Sequence, residues 1–346
     1  MDPSDYYLHR ISPFIIRFSE SFGLRWYGIS YVLGFVVGIL LLRRLSKNRR
    51  LRLSLSEVDA LMTYLVIGVL VGARVGYVLF YDLSLLVQFE SHFPFWGLLA
   101  VNQGGMSSHG GFIGVAVLMV IFARRYRYPI MHVGDAVVMA APPGLFFGRM
   151  ANFINGELFG RPTDVPWAVC FPSEILNWPF ERTTRLFQTL SEKGYEFTDV
   201  GGLIDGVIRN DAVAALVHPM LTPRHPSQIY EALLEGVVLF LLLWFLGKRF
   251  RRIGAVSAFF FWGYAVLRIF AEQFREPDVG IGFQWLGLTR GQWLSALMLV
   301  AGGVIWYFSL KVNLTPDAII SREKQKSPGK KKAVGRDRKS RSRKKR

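Results

Sequence analysis

Seven stretches of this chain are apolar over nearly the length that the hydrocarbon core of a bilayer demands of a helix, roughly 20 residues. They run about Trp26–Leu42, Val58–Phe80, His109–Phe122, Val133–Phe153, Ile229–Leu246, Ala255–Phe274 and Gln292–Leu310. A length of 346 residues would allow two or three soluble domains, but 51% of the residues are hydrophobic and the mean hydropathy is +0.28. The expectation is therefore an all-α polytopic membrane protein. Asp2, Asp5, His9, Arg10, Arg17 and Glu20 break up the first stretch, which does not read as a cleavable signal peptide. Cys170, the single cysteine, excludes an internal disulfide.

Local signals set several boundaries. Ser54 or Ser56 with Glu57 in the first turn opens the second span, Pro142-Pro143 predicts a kink in the fourth, and Asn155-Gly156 reads as the fourth helix's stop. Basic clusters follow spans one (Arg43, Arg44, Lys47, Arg49, Arg50, Arg52), three (Arg124, Arg125, Arg127), five (Lys248, Arg249, Arg251, Arg252) and seven (Lys311 and the tail). The positive-inside rule puts all four on the cytoplasmic side. Seven transmembrane helices then carry the N-terminus outside and the C-terminus inside, and a small extracytoplasmic domain, about 156–228, lies between spans four and five. Residues 1–315 form the transmembrane core. Net charge is +17, of which Arg322–Arg346 holds +12; 316–346 reads as a disordered basic tail that touches anionic lipid, with no fold pointing to specific nucleic-acid binding.

With that orientation the intramembrane polarity collects in the outer half. Arg149 and Asn152 share a face near the outer end of span four, and Glu157 and Arg161 follow it; Tyr264, Arg268 and Glu272, spaced i, i+4, i+8, line one face of span six. His109, Arg74, Glu231 and Glu235 fall at the same level, whereas the inner half offers Asp59, His132 and Asp135. Ionised groups at that depth cost roughly 2.5–3.5 kcal/mol on insertion scales, so a hydrated, net-charged cavity opening to the outer leaflet is expected. The plainer alternatives are an intrahelical Arg268–Glu272 pair, a snorkelling Arg149, an interfacial His109 and a structural Arg74. Arginine forks with no cluster at metal-ligand spacing suggest a phosphate-bearing ligand, and phospholipid headgroups are the available source. A Walker-type loop is absent, and Ser107-Ser108-His109 lacks the geometry of a serine hydrolase.

The run GRMANFINGELFGR, Gly148–Arg161, resembles the signature of bacterial prolipoprotein diacylglyceryl transferases. RWYG at Arg25–Gly28, GARVGYVLFY at Gly72–Tyr81, SSHGGFIG at Ser107–Gly114, RHPSQIYEALLEG at Arg224–Gly236 and GYAVLRIFAEQFREPD at Gly263–Asp278 extend the likeness in the right order. Ala151 stands where the family pattern usually has glycine. The resemblance implies a bacterial inner-membrane enzyme with its active site facing outward. Its substrates would be phosphatidylglycerol and preprolipoprotein signal peptides bearing a lipobox cysteine, and its products a thioether-linked diacylglyceryl group and glycerol phosphate, with no cofactor or metal. It also implies that Arg149, Asn152, Glu157 and Gly160 matter, with Tyr27, His109, Tyr264, Arg268 and Glu272; Tyr27 and Gly160 rest on the resemblance alone.

For such a reaction the expected roles follow from chemistry. Arg149 and Arg268 hold the phosphodiester and stabilise the charge that develops on the leaving phosphate. His109 is the candidate base, because imidazole titrates nearest neutral pH. Glu157 and Glu272 would orient the arginines, and Asn152, Tyr27 and Tyr264 would bond headgroup oxygens; Gly160 is placed in the substrate site by the resemblance alone. The nucleophilic thiol belongs to the substrate, so Cys170 is not needed. A phospholipid or anionic-solute transporter with an outward arginine-lined cavity is the main alternative, and an intramembrane peptidase the second.

Overall fold

The computed structural model describes residues 2–18, 23–48, 51–91, 94–100, 104–249, 252–277 and 284–312. The basic tail expected over 316–346 lies outside them. Eleven α-helices are present among the described residues: α1 Trp26–Lys47, α2 Leu55–Phe80, α3 Ser108–Arg125, α4 Ile130–Ile154, α5 Phe180–Glu192, α6 Val200–Arg209, α7 Asp211–Val217, α8 Ser227–Glu231, α9 Leu239–Arg249, α10 Ala255–Ala271 and α11 Arg290–Val312. A π-helical stretch, Ala232–Val238, joins α8 to α9.

Six helical segments are long and apolar enough to cross a membrane, counting Ser227–Arg249 as one. The seventh expected span is the shorter apolar helix α10, of 17 residues. Several of these helices are apolar all round, with Val32, Leu40, Leu70, Val71, Leu297 and Val300 exposed. A helix without a polar face suits lipid rather than water, and the helix set is consistent with a polytopic membrane protein. The all-α expectation needs one correction: among the described residues five short strands accompany the helices, β1 Tyr7–Leu8, β2 Phe14–Arg17, β3 Gly23–Arg25, β4 Val169–Cys170 and β5 Pro223–Arg224. No periodicity signals strands of two to four residues.

The chain divides into two compact units. The first comprises Met1–Leu41, Val137–Lys248 and Val256–Ile305. Its polar part, between α4 and α8, has its own core. Leu186 and Leu190, four apart on α5, meet Leu203 and Val207 of α6, Val213 and Val217 of α7, and Tyr6, Ile175 and Leu221. Each fully buried leucine contributes about 2 kcal/mol, which suffices to hold helices of 7 to 13 residues that would not persist alone. Asp199 and Asn210 cap α6 and α7 through Gly202 N, Ala212 N and Val213 N. The segment Tyr7–Leu8 adds a parallel strand to Val169–Cys170, which also pairs antiparallel with Pro223–Arg224, so the chain start is woven into this core. The β2–β3 hairpin then leads into α1, whose first amide donates to Pro13 O at 3.1 Å.

The second unit takes Leu42–Ala136, Arg249–Ala255 and the chain from Trp306. Helices α2 and α3 meet along glycines: a Cβ on Gly72 would stand 2.5 Å from Gly110 O, and one on Gly76 2.5 Å from Gly110 Cα. Small residues every fourth position let the two backbones touch, the usual device where no water drives helices together. Ser54 caps α2 in a capping box with Glu57, as its sequence predicts. Arg74 resolves in favour of structure. It is buried and donates to the carbonyls of Leu98 (2.8 Å), Gly97 (2.5 Å), Gly104 (2.7 Å) and Gly105 (2.9 Å), pinning the loop before α3.

Candidate active site

The first unit holds eight of the nine expected site residues: Tyr27, Arg149, Asn152, Glu157, Gly160, Tyr264, Arg268 and Glu272. His109 belongs to the second unit, on the first turn of α3, where its side chain is exposed and has no hydrogen-bond partner among the described residues.

Helix α4 runs unbroken through Pro142 and Pro143 and ends after Ile154. Gly156 takes φ +66°, its amide bonds Phe153 O at 2.9 Å, and Glu157 N bonds Asn152 O at 3.1 Å. This pair of bonds across a left-handed glycine is a Schellman closure, which folds the chain back over the last turn. The same closure sets Glu157 beside Asn152, whose Nδ2 donates to Glu157 Oε1 and to the Tyr27 hydroxyl, both at 2.8 Å. Glu157 therefore orients Asn152 and not, as expected from the sequence, Arg149. Leu158 follows at φ +58°, a costly angle for a branched side chain; its carbonyl accepts from Ser227 Oγ at 3.0 Å, and Glu157 O accepts from Gln228 Nε2 at 2.8 Å.

Residues 159–161 are clamped on both sides. Gly160 N donates to His225 O at 2.9 Å and Arg161 N to Phe274 O at 2.9 Å. A Cβ on Gly160 would lie 2.5 Å from each of those carbonyl oxygens, so glycine is required by close approach. Three separated sequence motifs thus meet as adjacent backbone strips, and the strip ending at Phe274 delivers Arg275.

The charged cluster forms where α8 and its π-helical continuation cross α4. Gly236 permits the crossing, since a Cβ there would stand 2.6 Å from Phe146 Cβ. Glu231 and Glu235 come to face Arg149, one turn beyond Phe146. Arg149 Nη1 is 2.9 Å from Glu231 Oε2, and its Nη2 is 3.2 Å from Glu235 Oε2. From α10, Arg268 Nη1 donates to Glu231 Oε1 at 2.7 Å and to Glu235 Oε1 at 3.2 Å, while Nη2 lies 2.8 Å from Glu272 Oε2. Arg275 becomes a third partner of Glu231, its Nη1 donating to Glu231 Oε1 at 3.3 Å. Glu272 is fixed from its other side by Thr289 Oγ1 at 2.8 Å, and Gly291 leaves room for its carboxylate. Arg268–Glu272 is thus an intrahelical pair, yet one strand of a larger network. Tyr264, half-buried on the same helix, stacks on Phe260 with ring centroids 6.0 Å apart.

Two consequences differ from expectation. First, Glu231 and Glu235 are the carboxylates that hold Arg149, a role expected of Glu157. Their i, i+4 spacing was a visible signal, but the partner helix was not. Second, this cluster carries three guanidinium groups against three carboxylates, so it is not the net-charged cavity that counting arginines suggested. The carboxylates are 0–5% exposed. Unpaired buried charges of this kind cost several kcal/mol each, which is why the network closes on itself.

The family model of prolipoprotein diacylglyceryl transferases matches residues 13–308. The chain belongs to the prolipoprotein diacylglyceryl transferase family. Among its relatives, the phosphatidylglycerol--prolipoprotein diacylglyceryl transferase of Bdellovibrio bacteriovorus is 43% identical over 328 residues, covering 86% of this chain and 92% of its own. The enzymes of the same name from Nitrosospira multiformis and Legionella pneumophila are each 38% identical, covering 86% and 85% of this chain and 87% and 97% of theirs. The match to the diacylglyceryl transferase family spans every element of the arginine cluster.

Cys170 is buried, with its Sγ 3.6 Å from Pro3 O, and burial pushes its thiol up to about 12. A thiol so far from ionisation is no nucleophile. Cys170→Ser should leave diacylglyceryl transfer to a lipobox peptide within about twofold of the unaltered rate, with a modest loss of melting temperature from the polar atom introduced into the core. A tenfold slower rate would contradict this.

His9 packs between Phe153 and Phe171, at 5.2 Å from each ring, and its Nε2 has no hydrogen-bond partner among the described residues. Burial pushes its imidazole down to about 4 from 6.5. A base with a depressed folded pKa is charged first in the unfolded chain, so stability falls as pH drops from 6.5 towards 4. The loss should reach about 3 kcal/mol. The melting temperature of the detergent-solubilised protein should fall across that window, and less so in His9→Phe; identical curves would refute the assignment.

Proposed function

We propose that this chain transfers the diacylglyceryl group of phosphatidylglycerol to the lipobox cysteine thiol of a preprolipoprotein, forming a thioether and releasing glycerol phosphate. It is the first step of lipoprotein maturation. The observation that carries the site assignment is the convergence of Arg149 and Arg268, from different helices, on the same two carboxylates. A group with paired oxygens that bridges two guanidiniums has the geometry of a phosphodiester as much as of a carboxylate.

In this reading the thiolate sulfur attacks the glyceryl carbon, the carbon–oxygen bond breaks, and its electron pair leaves with the phosphate. Arg149 and Arg268 stabilise that growing charge in a site of low dielectric. Asn152, held by Glu157 and Tyr27, offers a fixed amide to headgroup oxygens, and Tyr264 lines the same side of α10. The thiol, with an ordinary pKa near ~8.5, needs a proton acceptor at neutral pH, and His109, exposed at the start of α3, is assigned that task. His109→Gln should then slow transfer about 10²-fold at pH 7 and recover with rising pH; a full rate at pH 7 would remove His109 as an obligatory base.

The finer topology belongs to the same reading: seven spans, with α10 as the sixth, the N-terminus and the 156–228 domain on the outer face of the inner membrane, and the basic tail on cytoplasmic anionic lipid. Pairing of Tyr7–Leu8 with the polar domain supports a common side for both. The deciding experiment incubates the purified protein with headgroup-labelled phosphatidylglycerol and a lipobox peptide. Thioether product with stoichiometric glycerol phosphate is expected; lipid movement without chemistry, or peptide cleavage, would overturn the assignment.

A further inference from the structure

A site meant to hold a phosphodiester at Arg149 and Arg268 already holds an anion there. Glu235 accepts from both arginines, at 3.2 and 3.3 Å from Arg149 and 3.2 Å from Arg268. With Glu231 and Glu272 it brings three carboxylates against Arg149, Arg268 and Arg275, so the charges of this cluster balance among the described residues. A phosphate arriving at Arg149 and Arg268 would compete with these carboxylates for the same guanidiniums.

The geometry points to Glu235 as a resident counter-ion that exchanges with the substrate phosphate: it leaves the arginines when phosphatidylglycerol binds and returns to them to expel glycerol phosphate. The inference rests on the proposed transferase reading and extends it to the release step. Glu231 is the poorer candidate, because it is held at 2.7 and 2.9 Å and has Arg275 as a third partner. Glu272 is anchored by Thr289. Glu235 sits farther from Arg149 and Arg268 than Glu231 does, and its ion pairs among the described residues are with those two arginines, with Tyr264 from α10 and Glu231 as the other titratable groups near it.

Its backbone is independently unusual. Glu235 lies inside the π-helical stretch Ala232–Val238, where the wider hydrogen-bond ring replaces the α-helical one. Such stretches are uncommon and are frequent at functional sites. In the proposed exchange the Glu235 carboxylate swings away while the span stays helical. The returning carboxylate solves a problem the chemistry creates, since the product monoester carries more charge than the phosphodiester and would otherwise stay bound to the arginines more tightly than the substrate.

The test compares the full-length purified enzyme with Glu235→Gln, using phosphatidylglycerol, a lipobox peptide and added glycerol 1-phosphate. Removing the competing charge should lower KM for phosphatidylglycerol and the inhibition constant of glycerol 1-phosphate, each about tenfold. It should also produce a burst of thioether followed by a slower steady rate, as release becomes limiting. A merely structural role would raise both constants and give no burst. Either that pattern, or constants within twofold of the unaltered enzyme, would overturn the inference. If Glu235→Gln fails to fold, Glu235→Asp decides the matter, with the same shifts at about threefold expected and unchanged constants overturning it. An unaltered enzyme that makes no thioether from phosphatidylglycerol would instead sink the functional reading itself.

Discussion

Arg268→Lys is expected to reduce kcat/KM for diacylglyceryl transfer by at least about 10²-fold, the scale of removing one preorganised donor from a developing oxyanion. The reason lies in shape, not charge. One guanidinium contacts three carboxylates, Glu231 and Glu235 through Nη1 and Glu272 through Nη2. A lysine ammonium is a point charge on a flexible stem; it can reach one of these partners well, not all three in a fixed fork. The substitution also leaves buried carboxylates short of a partner, and breaking such pairs costs about 3–5 kcal/mol. Stability and turnover therefore have to be measured together. The expected result is a protein that still melts cooperatively in detergent, at a lower temperature, and binds phosphatidylglycerol weakly while forming almost no thioether. Near-normal turnover would remove Arg268 from the phosphate site, whatever the melting curve shows.

The second large effect is structural. Gly160→Ala places a methyl group 2.5 Å from His225 O and 2.5 Å from Phe274 O, both backbone atoms that no rotamer change can move. Overpacking typically costs 1–3 kcal/mol, and about 3 kcal/mol is expected here because two chain segments must separate. Their separation would also carry Arg275 away from Glu231, and with it one side of the charged cluster. Activity should fall more than stability alone would explain, and should not return at low temperature where the fold is secure. A Gly160→Ala enzyme with unaltered melting temperature and rate would show that the strip 159–161 is free to shift.

Much of this molecule was legible in its residues because the signals are local. Asn155-Gly156 announced the end of α4, Ser54 and Glu57 the start of α2, and the i, i+4, i+8 spacing the shared face of Tyr264, Arg268 and Glu272. Membrane-length apolar runs do not depend on context, since lipid rewards the same side chains wherever the helix lies. The partner of Arg149 was not legible in this way. Glu157, eight residues away, looked the natural candidate, yet the Schellman closure turns it to Asn152 while Glu231 and Glu235 arrive from another helix. Nor does any pattern in ALLEGVV announce a π-helical stretch, because the same residues suit an ordinary α-helix.

By itself, then, the sequence determined the membrane class, the order of the long helices, the positions of their ends and, through six ordered motifs, the family. Only the tertiary structure decided which charges meet. Hydropathy and capping are properties of short segments and survive in isolation, whereas the balance of three arginines by three glutamates exists only after α4, α8 and α10 have packed. Low dielectric makes that balance compulsory: once the arginines are buried together, the fold must supply carboxylates within about 3 Å or lose several kcal/mol for each one left alone.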